Sequence, residues 1–150
     1  MNLTTTIGMQ SEIYTPIIPK SVFTQMTKAL KDCKIGLATA AGVHMKVQTP
    51  FGKVGDWTFR EIPFDVDPNE LMVTHGGYDN GDVNKDVNCM FPYQRLNELK
   101  AEGFIKDVAP IHLTFMGGGG LQDKFKEYTG PEVAKIFKSE NVDAVILTAG

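Results

Sequence analysis

Three short apolar runs that each close on small residues constrain this chain more than any other feature: "KIGLATAAG" from Lys34, "IHLTFMGGGG" from Ile111 and "VDAVILTAG" from Val142. Each is short, rich in β-formers and bounded by turn residues, which is the pattern of a strand buried on both faces. Helical spacing fills the intervals. "FPYQRLNELKAEG" has Pro92 suited to a first turn, Leu96 and Leu99 on one face, and Gly103 suited to the C-terminal cap. Leu121 to Tyr128 suits a short helix. Thr129 can cap the next, with Pro131 and Glu132 in its first turn and Val133, Ile136 and Phe137 inward. Strands alternating with helices predict an α/β fold, a three-layer Rossmann- or flavodoxin-like domain with a mainly parallel sheet. A sheet that ends on an uncovered strand, Asp143 to Thr148, is incomplete at its C-terminus, and oligomerisation or an interface is expected there.

The remaining segments are less regular. Residues 1–20 carry Pro16 and Pro19 without a steady period and read as an extended arm, leaving 21–150 as the α/β domain. Lys20 to Asp32 places Val22, Phe23, Met26 and Leu30 on one helical face. Residues 41–70 read as a long irregular connection, and Leu71 to Thr74 as a further strand running into "HGGYDNGD".

Composition narrows the function classes. With 150 residues the chain can bury one core, and its net charge of −3 gives no electrostatic footprint for nucleic acid or an anionic membrane. No apolar run approaches the ~20 residues of a membrane helix, and no signal peptide is evident at the start. Two isolated cysteines, Cys33 and Cys89, form no disulfide framework; a cytoplasmic protein is expected.

Familiar motifs fail on inspection. "MGGGGLQDKF" lacks the Gly-Lys-Ser/Thr ending of a phosphate loop, and Gln122 replaces the third glycine of a dinucleotide fingerprint. "DVNKDVNCMFPY" opens like a calcium loop, but Val87 replaces the turn glycine and Tyr93 the bidentate Glu. His44, His75, His112 and the cysteines have no zinc-ligand spacing, so no metal site is expected.

What remains are strand-end and loop residues: Thr39, Gly42, Gly117, Gly118, Gly119, Gly120, Thr148 and Gly150 beside the sheet edge, with His44, His75, Asp56, Arg60 and Asp79 in the connections. Parallel strands place their C-terminal loops along one edge, where ligands bind. His44 and His75 are possible proton donors or structural hydrogen-bonders. Arg60 can grip a carboxylate or pair with Glu61 or Asp65 at the surface, and the glycines can contact substrate through backbone N–H or form a flexible turn.

"GLATAAGVHMK", "HGGYDNGDVNKDVNCMFPYQRLNELKAEGFIK", "FMGGGG" and "VDAVILTAG" together resemble the component B selenoproteins of the glycine, sarcosine, betaine and D-proline reductases, from about Ser11 onward. Residues 75–106 carry the most specific part of the resemblance, and the segments favour the D-proline branch.

The resemblance implies reductive opening of D-proline at its Cα–N bond to 5-aminovalerate. It implies a partner subunit bearing a pyruvoyl group that activates the nitrogen, a selenolate that attacks Cα, and a thiol or protein electron donor. It further implies that selenocysteine follows Gly150 directly and is absent from this chain, which binds no cofactor itself. The 150 residues would then be a fragment stopped at a UGA codon and inactive alone. Two other readings compete: a glycine, betaine or sarcosine reductase component B, and a non-catalytic binding or assembly subunit.

Overall fold

A computed structural model describes residues 24–52, 54–117 and 121–149. Its centre is strand β1, Lys34–Thr39, in which every residue from Ile35 to Thr39 is buried. Alternation along β1 sends Ile35 and Leu37 into one apolar cluster and Ala38 into a second. That two-sided burial is why "KIGLAT" lacks any polar face.

β1 is flanked on both sides by parallel strands. β5 (Asp107–Val108) and β6 (Ile111–Phe115) pair with it in succession, Ile35 opposite Val108 and Thr39 opposite Thr114. β7 (Ala144–Thr148) runs parallel to β1 over five residue pairs, from Ile35–Ala144 to Thr39–Thr148. β3 (Phe59–Pro63) adds to β6 in the antiparallel sense. A separate two-stranded antiparallel sheet joins β2 (Val43–Met45) to β4 (Leu71–Val73).

The chain is therefore α/β with a mixed sheet, a correction to the mainly parallel, Rossmann-like expectation. The reason lies in residues 41–70, expected as one long connection, which fold into β2 and β3. β3 escapes a periodicity search because only Ile62 of "FREIP" is buried, and its proline is tolerated at an edge. Leu71–Val73 is a strand as expected, but it belongs to the small sheet.

Two main helices supply the covering layers. α1 (Tyr93–Ala101) begins after Pro92 and ends before Gly103, whose φ of +74° suits a glycine cap. It buries Tyr93 and Leu96 with Ile35, Leu37 and Phe91. A short α2 (Gln122–Lys124) runs through a π-helical turn, Phe125–Thr129, into α3 (Gly130–Ser139). Val133, Ile136 and Phe137 face the second cluster. Phe137 is buried and contributes about 1.5–3 kcal/mol, while Val133 and Ile136 are half-buried. Gly36 makes this contact possible: a Cβ there would lie 2.8 Å from Phe137 Cε1.

Thr129 differs from its expected capping role. Its backbone is already helical, and its hydroxyl donates to the Trp57 carbonyl, tying the π turn to the connection before β3. The proposed arm lies outside the described residues, as does the first part of the Lys20–Asp32 helix. From Thr24 onward that helix is absent: only Leu30–Asp32 forms a 3₁₀ turn, and Met26 and Leu30 are exposed. Helical spacing alone does not hold a short helix that finds no surface to bury against.

Candidate functional site

The C-terminal ends of β1 and β7 are joined through one carbonyl. Thr39 and Thr148 are register partners, and both hydroxyls donate to Met90 O, at 3.1 and 2.5 Å. Thr39 Oγ1 also accepts from Ala41 N–H, and Ala40 N–H donates to Thr148 O. These two threonines, expected near substrate, spend their hydroxyls on holding the strand ends to the segment that leads into α1. The residue before Met90 is Cys89, which is exposed; Cys33 is the buried one.

The histidines separate cleanly. His44 lies in β2, fully buried, with Nδ1 2.9 Å from Met45 O and Nε2 2.9 Å from Thr74 Oγ1. The carbonyl can only accept, so Nδ1 carries the proton and Thr74 donates to Nε2. With both nitrogens engaged and no exposure, His44 holds β2 to the end of β4 and faces no ligand.

His75 follows β4 and accepts from Gly77 N–H at Nδ1, 2.9 Å. That bond puts its own proton on Nε2, which has no partner among the described residues. Burial pushes its pKa below the usual 6.5, so the ring is a neutral N–H donor at pH 7. Its ring lies 4.6 Å from that of Tyr78, tilted by 35°, and the Tyr78 hydroxyl donates to Ala41 O in the loop after β1. Burial, with a further contribution from Cys89, raises the Tyr78 pKa. His75, Tyr78 and Cys89 thus gather beside the β1 loop. Neither Tyr78 nor Cys89 was expected at the site; the only available signal was their place in "HGGYDNGDVNKDVNCMFPY", the most specific segment of the family resemblance.

Asp56 and Arg60 sit farther along the same edge. Asp56 Oδ1 accepts from Thr58 N–H and Oγ1, and Oδ2 accepts from Gly52 N–H at 2.8 Å. Burial alone would raise its pKa; these bonds and nearby Arg60 outweigh it and hold the carboxyl below its ordinary 3.8. Arg60 is committed as well: Nε donates to Thr49 O, Nη1 to Thr58 Oγ1 and Phe59 O, and the guanidinium lies 4.3 Å over the Phe51 ring. It organises the 49–58 connection and does not pair with Glu61 or Asp65. Asp56 lines a cavity of about 230 Å³ at the end of β6, walled also by Phe115, Gly117, Leu121, Phe125 and Lys126.

The other expected positions are structural or lie elsewhere. Gly42 has φ +71° and a Cβ there would strike Thr74 O at 2.3 Å, so glycine is required by the turn. Asp79 is exposed and caps Gly81 N–H. Gly118, Gly119, Gly120 and Gly150 lie outside the described residues. Among the described residues no group of His, Cys, Asp and Glu is arranged to hold a metal, and no helix is long and apolar enough to cross a membrane.

Residues 8–150 match the family described as glycine/sarcosine/betaine reductase selenoprotein B. The chain belongs to this family. It is 60% identical over 149 residues to D-proline reductase subunit gamma of Acetoanaerobium sticklandii, covering 99% of this chain and 62% of that protein. It is 27% identical to glycine reductase complex component B subunit gamma of Carboxydothermus hydrogenoformans, covering 94% of this chain and 34% of the relative. A sarcosine reductase complex component B subunit beta from Peptoclostridium acidaminophilum is 35% identical over 81 residues, 54% of this chain and 18% of its own length. The chain thus spans under two thirds of the length of these relatives, which are named as subunits of reductases. No solved structure matches.

Proposed function

We propose that this chain is part of the gamma-type subunit of a D-proline reductase, which opens D-proline at its Cα–N bond to 5-aminovalerate with two electrons and two protons from a thiol or protein donor. The observation that carries the reading is the 60% identity to a D-proline reductase gamma subunit, against 24–28% for the glycine reductase relatives. In this reading a selenocysteine after Gly150 and a pyruvoyl group on a partner subunit supply the nucleophile and the activation of nitrogen. The 150 residues alone are then inactive, and the protein works in the cytoplasm.

The β1–β7 edge suits such a nucleophile. The two threonine bonds to Met90 O fix where β7 ends, against the residue that follows Cys89. His75 is neutral, and a neutral imidazole is a weak acid. Its Nε2–H therefore serves as a hydrogen-bond donor to substrate carboxylate or to an anion, and the transferred proton comes from elsewhere. Within this chain, the work is to hold and orient.

The test is expression of the complete gene with selenocysteine decoding, together with its partner subunit, and assay of 5-aminovalerate from D-proline. Release of ammonia or a methylamine from glycine, sarcosine or betaine, with no 5-aminovalerate, would transfer the chain to another branch. His75→Gln, which keeps an N–H donor, should retain much more turnover than His75→Leu.

A further inference from the structure

The two outer strands of the main sheet, β3 and β7, differ in how they are written. β3 carries Arg60, Glu61 and Pro63, and charge and proline are the devices that keep a true edge strand from pairing further. β7 has neither: Ala144 to Thr148 are uncharged, free of proline and glycine, and in unbroken register with β1. Nothing in its sequence guards it as an edge.

Its backbone is half satisfied. Thr148 O accepts from Ala40 N–H, so alternation along the strand turns the peptide groups of Ile146 and Thr148 toward β1 and those of Val145 and Leu147 outward. The outward groups meet no partner among the described residues.

Both faces are bare as well. Ile146 is the register partner of Leu37 in the first apolar cluster, and Leu147 that of Ala38 in the second, so the two side chains lie on opposite faces. α3 lays Phe137 on Gly36 of β1, yet Val145, Ile146 and Leu147 remain 37, 40 and 74% exposed. A parallel strand that is apolar on both faces is the pattern of a sheet interior.

We infer that β7 is an inner strand in the complete subunit. The part of the subunit outside these 150 residues supplies the next strand, paired to Val145 and Leu147, with helical cover over Ile146 and Leu147. The inference rests on the reading of this chain as part of a longer subunit. The length suffices: 149 residues make up 62% of the D-proline reductase gamma subunit, which leaves roughly 90 outside the match, against about 30 for a βαβ unit. A second copy of this chain fits less well, because it would pair the edge but bring another bare β7 and cover neither face. With a strand on each side, the C-terminal end of β7 falls within the row of strand ends where α/β sheets bind ligands.

The experiment is site-resolved amide exchange on the complete subunit, alone and assembled with its partner, with fragmentation that reads Val145 and Leu147 separately. In the subunit alone both amides should exchange about a hundredfold or more slower than unbonded ones, at any concentration and with residues 1–23 deleted. Free exchange overturns the inference. So does protection that appears only on assembly, rises with concentration or vanishes with residues 1–23, outcomes that assign the edge to the partner subunit, a second copy or that segment. Leu147→Lys gives a second readout. Under a covering layer it lowers the thermal midpoint of the complete subunit by about 5 °C or more, and a silent substitution overturns the inference too. Glu61→Lys, exposed on the guarded edge strand, is the control and should shift it by less than about 2 °C. The reductase reading fails separately: protected β7 amides in a complex that makes no 5-aminovalerate uphold the inner strand and remove D-proline as substrate. Turnover with freely exchanging β7 amides does the reverse.

Discussion

Thr39 and Thr148 stand opposite each other at the ends of β1 and β7, and both donate their hydroxyls to the Met90 carbonyl. One acceptor therefore ties two strand ends to the segment before α1. A hydrogen bond of this kind contributes about 0.5–1.5 kcal/mol, and an unsatisfied buried carbonyl costs about 1–3. Thr148→Val should cost about 1 kcal/mol and Thr148→Ser little. The Thr39→Val/Thr148→Val pair should cost more than the sum of its parts, because only then is Met90 O left bare. Urea denaturation midpoints of the wild type, Thr39→Val, Thr148→Val, Thr148→Ser and the pair check this; strict additivity would show that the carbonyl finds another donor.

Gly36 is pressed against Phe137. Its missing Cβ would lie 2.8 Å from Phe137 Cε1 and 3.2 Å from Val142 Cγ1. Gly36→Ala should therefore destabilise the fold by about 1–3 kcal/mol, as overpacking does. Adding Phe137→Leu should recover part of that loss, measured as a positive coupling in a double-mutant cycle.

His112 is fully buried in β6 beside Phe91, and neither ring nitrogen has a partner among the described residues. Burial lowers its pKa from 6.5 to about 4. Below pH 6.5 the unfolded chain takes up a proton that the folded chain refuses, so the contribution is complete above 6.5 and is lost as pH falls toward 4. The loss reaches about 3 kcal/mol. Stability curves between pH 7 and 4 should flatten markedly in His112→Leu, and an unchanged slope would exclude this histidine as the cause.

Cys89 is exposed and Cys33 is 1% exposed, its thiol 3.3 Å from Ala29 O. Iodoacetamide should add one label to the native chain, at Cys89, and a second only after denaturation. Peptide mass mapping reads both positions, and early labelling of Cys33 would mean that the residues before β1 open readily.

Much of this protein was legible as one-dimensional pattern. β1, β6, α1 and α3 announce themselves because each buries a continuous or periodic apolar set, and burial must be written into the residues that undergo it. β7 is equally apolar in sequence but is not the strand buried on both faces that its pattern predicts: Val145, Ile146 and Leu147 are exposed, because it pairs with β1 alone and no strand or helix covers it among the described residues. The family was legible too, and the match runs over residues 8–150. β2 and β3 were not, because three- and five-residue strands at an edge need few apolar side chains and draw their stability from the neighbours they pair with. Nor were the roles of the site residues. His44 and His75 are alike in sequence, each near a short strand, yet Thr74 and Met45 occupy both nitrogens of one, while Gly77 occupies a single nitrogen of the other. Hydrogen-bond partners come from chain segments distant in sequence, and a residue's chemistry depends on which of its atoms they leave free. Local pattern specifies which segments are buried; the meeting of those segments specifies which atoms remain available to a ligand.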